Sequence, residues 1–494
     1  MRVRSVFAQS FSAALKRWPP LMLFVLALVS SFAACSGALT QEYDLVIRGG
    51  RVMDPESELD AIRNLGISDG KIHAVTTREL RGKTTIDAEG LIVAPEFIDL
   101  HAHGQTPENY RFQAADGVTS ALELEVGTAD IDGWYAARDA QTLIHYGVSI
   151  GHIPVRIQVM GDPGTFLPSG DAAHRAATAA EIEEIKQGIR RGLERGATAV
   201  GFGVAYTQAA TYWEILEMFR VAAESGATAH VHVREGERGI RGVEEVISAS
   251  AVTGAAVHVV HIQSSGQDNT PRLLEMIAGA GSRGIDITTE CYPYTAGMTL
   301  PESALFDEGW RDKMGLDYAD LQWIATGERL TAKTFAEYRK IGGLVVIHTN
   351  PEEIVEGAVA NPLTMIASDG LLENGKGHPR TSGTYSRVLG RYVRERGLLS
   401  LMDALRKMTL MPAQRLERRV PLMRNKGRIR VGADADLTLF DPERILDRST
   451  YENPAVTSVG IQHVLVGGVP VVKDGQVQDD DNVLPGTPIR APIQ

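Results

Sequence analysis

The chain has 494 residues, 44% of them apolar and 23% charged, with a formal net charge of −12. That length allows a large core and more than one domain. The acidic balance argues against a nucleic-acid binder, because phosphate neutralisation needs a basic face.

Residues 1–35 read as an export signal. Arg2, Arg4, Lys16 and Arg17 precede the apolar run LMLFVLALVSSFAAC, which gives a basic region, a hydrophobic region and a small-residue exit. The ending FAAC resembles a bacterial lipobox with Cys35 as the lipidated residue, although Phe32 stands where leucine is usual. A plain cleaved signal and a retained anchor are the alternatives, but the run is short for a spanning helix of about 20 residues. Ser36, rather than aspartate, points to the outer membrane. The expected address is periplasmic, or anchored to the outer membrane through Cys35. The second cysteine, Cys291, reads as a packed free thiol.

Residues 36–93 contain short β-rich runs such as YDLVIRGGRVMDP, broken by Gly and Asp-Pro. Residues 423–477 read the same way, through KGRIRVGADADLTLFDP and SVGIQHVLVGGVPVVKDGQ. Two β segments at opposite ends predict a small sheet domain built from both. Residues 478–494 read as a tail.

Residues 94–422 alternate. LIVAPEFIDL reads as one apolar strand, GVTSALELEV as a second, and DGWYAARDAQTLIHYG as a helix. VSIGHIPVRI reads as a strand, AAEIEEIKQGIRRGLERG as a helix with i, i+4 charge pairs, and ATAVGFGV as a strand. TYWEILEMFRVAAESG is helical, and ATAHVHV and AAVHVVHI are strands separated by the helix RGVEEVISASAVTG. Repeated βα units over this length predict a parallel sheet closed into a barrel. The span exceeds a minimal barrel, so an insertion is expected over residues 301–340.

The strand ends carry the chemistry. In FIDLHAHG, His101 and His103 are two apart and face the same way on a strand. At the C-terminal mouth of a barrel strand, that direction is the centre of the active site. His232 ends ATAHVHV, His261 ends HVVHI, and Asp369 follows the apolar run MIAS. Four histidines and an aspartate at strand ends suit a divalent metal better than packing.

The stretches APEFIDLHAHG, HVREGERG, VVHIQSSG, TTECYPYTAGMT, IASDG, GHPRTSGTYSRVLGRYVRE and KGRIRVGADADLTLFDP resemble the amidohydrolase superfamily, within it the N-acyl-D-amino-acid deacylase (D-aminoacylase) group. The resemblance covers essentially all of the chain after the signal. It implies an α/β fold, a metal-dependent (β/α)8 TIM barrel with a small β-sandwich built from both chain ends. It also implies one or two divalent ions, zinc foremost, with His101 and His103 holding one and His232 and His261 the other. His230 and His258 read as inner strand residues that a register error would promote to ligands.

The bridge between the ions is less determined. Relatives use a carboxylated lysine or a cysteine, and GVTSALELEVG offers neither. Lys186, the one lysine between residues 104 and 312, sits in a charged helix. Glu125 and Glu123 face the same way; Glu125, nearer the strand end, is the first choice, Glu123 the second, and the absence of any bridging ligand the remaining alternative. The implied chemistry is hydrolysis of a linear amide by metal-activated water, with Asp369 holding the water, taking its proton and returning it to the amine. Arg380, Arg234, Tyr206 and Tyr292 are candidates to clamp a substrate carboxylate. Gln263 stands where relatives often carry lysine, which puts the usual D-amino-acid specificity in question. His152 and Arg156 read as structural. The expected partner is a small-molecule amide. Dipeptide or cyclic-amide hydrolysis remains open, as does a non-catalytic binding lipoprotein.

Overall fold

The computed structural model describes residues 42–236, 238–478 and 483–494. Residues 1–35, with the expected export signal and Cys35, lie outside these described residues. No helix among them is long and apolar enough to cross a membrane.

Eight parallel strands form the central sheet: β1 (Phe97–Asp99), β2 (Val118–Thr128), β3 (His145–Gly151), β4 (Val200–Gly203), β5 (Thr228–His232), β6 (Ala256–Val259), β7 (Ile287–Cys291) and β8 (Thr364–Ile366). They pair in chain order from β1 to β8. Closure comes just beyond the ends of β1 and β8. There Asp369 N–H donates to His101 O at 2.7 Å, and Ala102 bridges Gly370 in parallel. Asp99 ties the same seam, its Oδ1 accepting from His101 N at 3.1 Å and Ser368 N at 3.0 Å. The seam of the barrel is therefore built from the residues that flank the HxH and the aspartate.

LIVAPEFIDL is two strands, not one. Ile92–Pro95 pairs with Glu42–Asp54 and with Leu437–Phe440, so it belongs to the terminal sheet. The chain crosses to the barrel at buried Glu96, which accepts from the Thr119 and Ser120 hydroxyls at 2.7 Å each. Nine strands from the two chain ends make one mixed hydrogen-bonded sheet, with Ile92–Pro95 at the junction. Leu45, Ile47, Val52, Leu65, Leu437 and Leu439 pack in its apolar core.

Three more elements differ from the sequence reading. VSIGHIPVRI is strand only to Gly151; His152–Met160 is a helix, with Pro154 in the first turn, where a missing N–H costs no hydrogen bond. The helix in DGWYAARDAQTLIHYG is limited to Ile131–Ala136. The tail packs: Ile489 N–H donates to Tyr146 O at 2.7 Å and Ala491 N–H to Gly196 O at 3.0 Å, and Ile489 is buried.

The insertion lies where it is expected. Ala296–Thr299, Leu321–Trp323 and Val345–His348 form a small antiparallel sheet. Around it Leu305, Phe306, Trp310 and Phe335 build an apolar core that also takes in Val126, Ile153 and Tyr206 from the barrel mouth. This module walls one side of the cleft.

Candidate metal centre and active site

His101, His103, Glu125 and Asp369 form one group of donor atoms lying within 4.8 Å of one another, and Glu125, His232 and His261 form a second. Glu125 is common to both. Its Oε2 lies 2.8 Å from His101 Nε2 and 3.3 Å from His103 Nε2, and its Oε1 lies 3.0 Å from His232 Nδ1. Asp369 Oδ1 stands 3.5 Å from His101 Nε2 and 3.3 Å from His103 Nε2.

Each side chain arrives by a different backbone device. His101 and His103 follow β1, and His232 closes β5. His261 lies two residues past β6 at φ 31°, and Asp369 follows β8 at φ 53°. Both occupy the left-handed region, which costs a non-glycine residue about 1–3 kcal/mol and concentrates at functional sites. Glu125 needs room beneath it: a Cβ on Gly201 of β4 would lie 2.3 Å from Glu125 O.

Glu123 and Glu125 part company at a register irregularity in β2 between Glu123 and Thr128. Glu125 turns into the mouth. Glu123 turns behind His103, with Oε2 2.6 Å from His103 Nδ1 and Oε1 accepting from Val126 N at 3.1 Å. His230 and His258 lie one pleat deeper, their rings 4.8 Å apart, outside both donor groups. Lys186 is paired with Glu183 on its own helix and with Glu217 on the helix Tyr212–Glu224.

Burial opposes charge on every member of the cluster, and the neighbours outweigh it at all but His261. Burial raises Glu125, but hydrogen bonds from His101, His103 and His232 hold it well below the usual carboxylate range. Asp369 is likewise held low, first by Arg380 and then by His101. Burial lowers His232, but Glu125 beside it lifts it to about 9. At His261 burial prevails: together with His232 it pushes the imidazole down to about 3, against the opposite pull of Asp369 and Glu125. Carboxylate and imidazole donors converging from several strands, one carboxylate spanning two groups, fit a pair of zinc-type cations.

The cleft above is lined by Val126, Leu167, Met298, Leu300, Leu305 and Ile347 on its apolar walls, with Glu235, Arg238 and Lys313 also lining it. Behind Asp369 and Tyr292, which line the cleft, Arg380 is buried, with Nη2 2.8 Å from Asp369 Oδ1 and the guanidinium carbon 4.5 Å from the Tyr292 ring centroid. Among the described residues no acceptor meets its side-chain N–H groups in hydrogen-bond alignment. Tyr206 and Tyr292 line the same cleft. The Tyr206 hydroxyl meets Thr299 Oγ1 at 3.1 Å, and the Tyr292 hydroxyl accepts from Asn350 at 3.1 Å.

Arg234 does not reach the cleft. Its guanidinium donates to Glu245 at 2.7 Å, to Gln208 O at 2.9 Å and to Ala210 O, so its charge is spent tying loops. That leaves no donor of Arg234 directed at a substrate carboxylate in the cleft. Gln263 donates to Tyr292 O at 3.1 Å. Cys291 is a buried free thiol pushed up to about 12 by burial. His152 and Arg156 are buried on Glu214.

Glu290 is absent from the sequence reading. It is buried, with Oε1 2.6 Å from His101 Nδ1 and Oε2 3.0 Å from His258 Nε2. Burial would raise it, but His101 and His258 hold it well below the usual range. Alternation on β7 is the available signal: Thr288 and Glu290 share one face, while Cys291 takes the other.

The chain matches the amidohydrolase family over residues 160–472. It belongs to that family. This amidohydrolase is 30% identical to a D-aminoacylase of Alcaligenes xylosoxydans xylosoxydans, over 87% of its own length and 95% of the relative's. It is 29% identical to the N-acyl-D-glutamate deacylase of the same organism, over 91% and 99%. Among solved structures, it is similar to N-acyl-D-glutamate deacylase from Bordetella bronchiseptica complexed with zinc and a phosphonate mimic of the tetrahedral intermediate. That similarity has a TM-score of 0.76 at 28% identity, and covers 91% of this chain and all of the other.

Proposed function

We propose that this amidohydrolase deacylates N-acyl amino acids of D configuration, using zinc held between His101, His103 and Asp369 on one side and His232 and His261 on the other, with Glu125 shared. The observation that carries this reading is Glu125 standing in both donor groups while Asp369 lies between the two histidines and Arg380. The named relatives support the substrate class.

When bound, a divalent cation lowers the pKa of water toward neutrality and polarises the amide carbonyl. The chain's residues do the rest. Asp369, kept ionised by Arg380 and His101, accepts a proton from water as the water oxygen bonds to the carbonyl carbon. It passes that proton to the departing nitrogen as the C–N bond breaks, leaving a carboxylic acid and an amine, which ionise to carboxylate and ammonium. Arg380 offers its unaligned donors to the substrate's α-carboxylate, and its fork suits that group. Tyr292 stacks on Arg380 and Tyr206 packs edge-on against His232, ring centroids 5.0 Å apart, so both fix the floor on which the substrate lies. The apolar walls exclude water from the reacting bond.

The test is amine release from matched N-acetyl-D- and N-acetyl-L-amino acids, with dipeptides alongside, by zinc-loaded protein. Turnover favouring the D series supports the reading. Turnover confined to dipeptides or the L series overturns the specificity.

The order of basic residues, apolar run and FAAC in residues 1–35 supports export with a lipid at Cys35. Fatty-acid labelling that survives Cys35→Ala would contradict the anchor.

A further inference from the structure

We propose that Glu290 is a positioning residue acting through His101, and that Glu123 is its counterpart acting through His103. The inference rests on the metal reading above.

A neutral imidazole carries one N–H and one lone pair. A cation in the donor group would take the Nε2 lone pair of His101, so the proton belongs on Nδ1, where Glu290 Oε1 accepts it at 2.6 Å. That hydrogen bond leaves the Nε2 lone pair aimed into the donor group. His103 repeats the arrangement with Glu123 Oε2 at 2.6 Å. Carboxylates behind ligating histidines fix tautomer and ring orientation and strengthen the donor nitrogen.

Glu290 is itself held. Its second oxygen meets His258 Nε2 at 3.0 Å, and His258 Nδ1 meets Thr288 Oγ1 at 2.8 Å. The line Thr288–His258–Glu290–His101 runs inside the barrel from the inner faces of β6 and β7 to the HxH. His258 thereby acquires a purpose two steps from the cation.

The other half lacks this support. His232 turns Nδ1 to Glu125, and its Nε2 is 3.9 Å from half-buried Glu235. His261 Nδ1 has the Ser265 hydroxyl at 3.3 Å. Two buried carboxylates stand behind one histidine pair; a hydroxyl and a distant carboxylate stand behind the other.

The experiment is titration of chelator-stripped protein with zinc in competition with a chromophoric chelator. It compares wild type, Glu290→Gln and Glu123→Gln, with His101→Asn marking the step to which the HxH belongs. Each Gln variant keeps the side-chain shape and removes the charge. Expected is a loss of about 10–100-fold in affinity, confined to the step His101→Asn abolishes. The thermal midpoint of the metal-free protein should stay unchanged. Wild-type affinity in both Gln variants overturns the proposal. So does equal weakening of both steps with a lowered metal-free midpoint, which a merely structural role would produce. Wild type that takes up no zinc overturns the metal reading itself, and this inference with it. Should one variant fail to fold, the other reads out the same loss of affinity.

Discussion

Replacing Arg380 with lysine separates recognition of the substrate carboxylate from catalysis. The guanidinium is buried, 2.8 Å from Asp369 and stacked on Tyr292, and lysine cannot reproduce its fork. A hydrogen bond to a charged group contributes about 1.5–3 kcal/mol, which at about 1.36 kcal/mol per tenfold corresponds to roughly 10- to 150-fold in kcat/KM. Losing the partner of Asp369 also slows every substrate, so the decisive quantity is a ratio. We would compare kcat/KM for an N-acyl amino acid and for its primary-amide analogue, which lacks the carboxylate, in wild type and in Arg380→Lys. Wild type should favour the free acid by roughly the factor above, and the variant should lose most of that preference. A variant that is slow but keeps the full preference would refute Arg380 as the carboxylate clamp.

Three further outcomes follow from the packing and the titrations. His348, pushed down to about 4 by burial and then by Arg329, binds its proton later in the folded state than in the unfolded state. Between about pH 6.5 and 4 the unfolded chain holds more protons, so stability should fall as pH falls through that window. Denaturant curves of His348→Gln should show a shallower acid loss, by about 1–2 kcal/mol after discounting its partial burial; parallel curves would contradict the assignment. Gly201→Ala places a Cβ 2.3 Å from Glu125 O and should cost about 1–3 kcal/mol of stability, read as a lowered thermal midpoint. Cys291, buried and pushed up to about 12, should resist iodoacetamide in the native protein at pH about 8, because the thiolate is the reactive form. Rapid labelling of the folded protein would show that the thiol is not enclosed.

Much of the site is legible in the sequence because metal ligation needs particular residue types at strand ends, and those stand out against apolar strands. The HxH, His232, His261 and Asp369 meet as that reasoning expects. Strand alternation cannot choose between Glu123 and Glu125, since both share a face in a regular strand. The irregularity in β2 separates them, and no residue in ELEVG announces it. Arg234 misleads because position shows where a side chain starts, not which carbonyls claim it. LIVAPEFIDL reads as one strand because its apolar run is continuous, whereas hydrogen bonding divides it at Glu96 between two sheets. Glu290 is easily missed beside the more conspicuous Cys291, although a carboxylate on the inner face of a barrel strand is costly to bury unpaired.

Asp369 as the proton carrier of amide hydrolysis is tested most directly by measuring zinc content and amine release on the same preparations of wild type and Asp369→Asn. The geometry predicts that the variant still carries zinc on its remaining donors and loses about 10²–10⁴-fold in kcat. Comparable zinc content with undiminished turnover would contradict it, and would place the proton on a group other than Asp369.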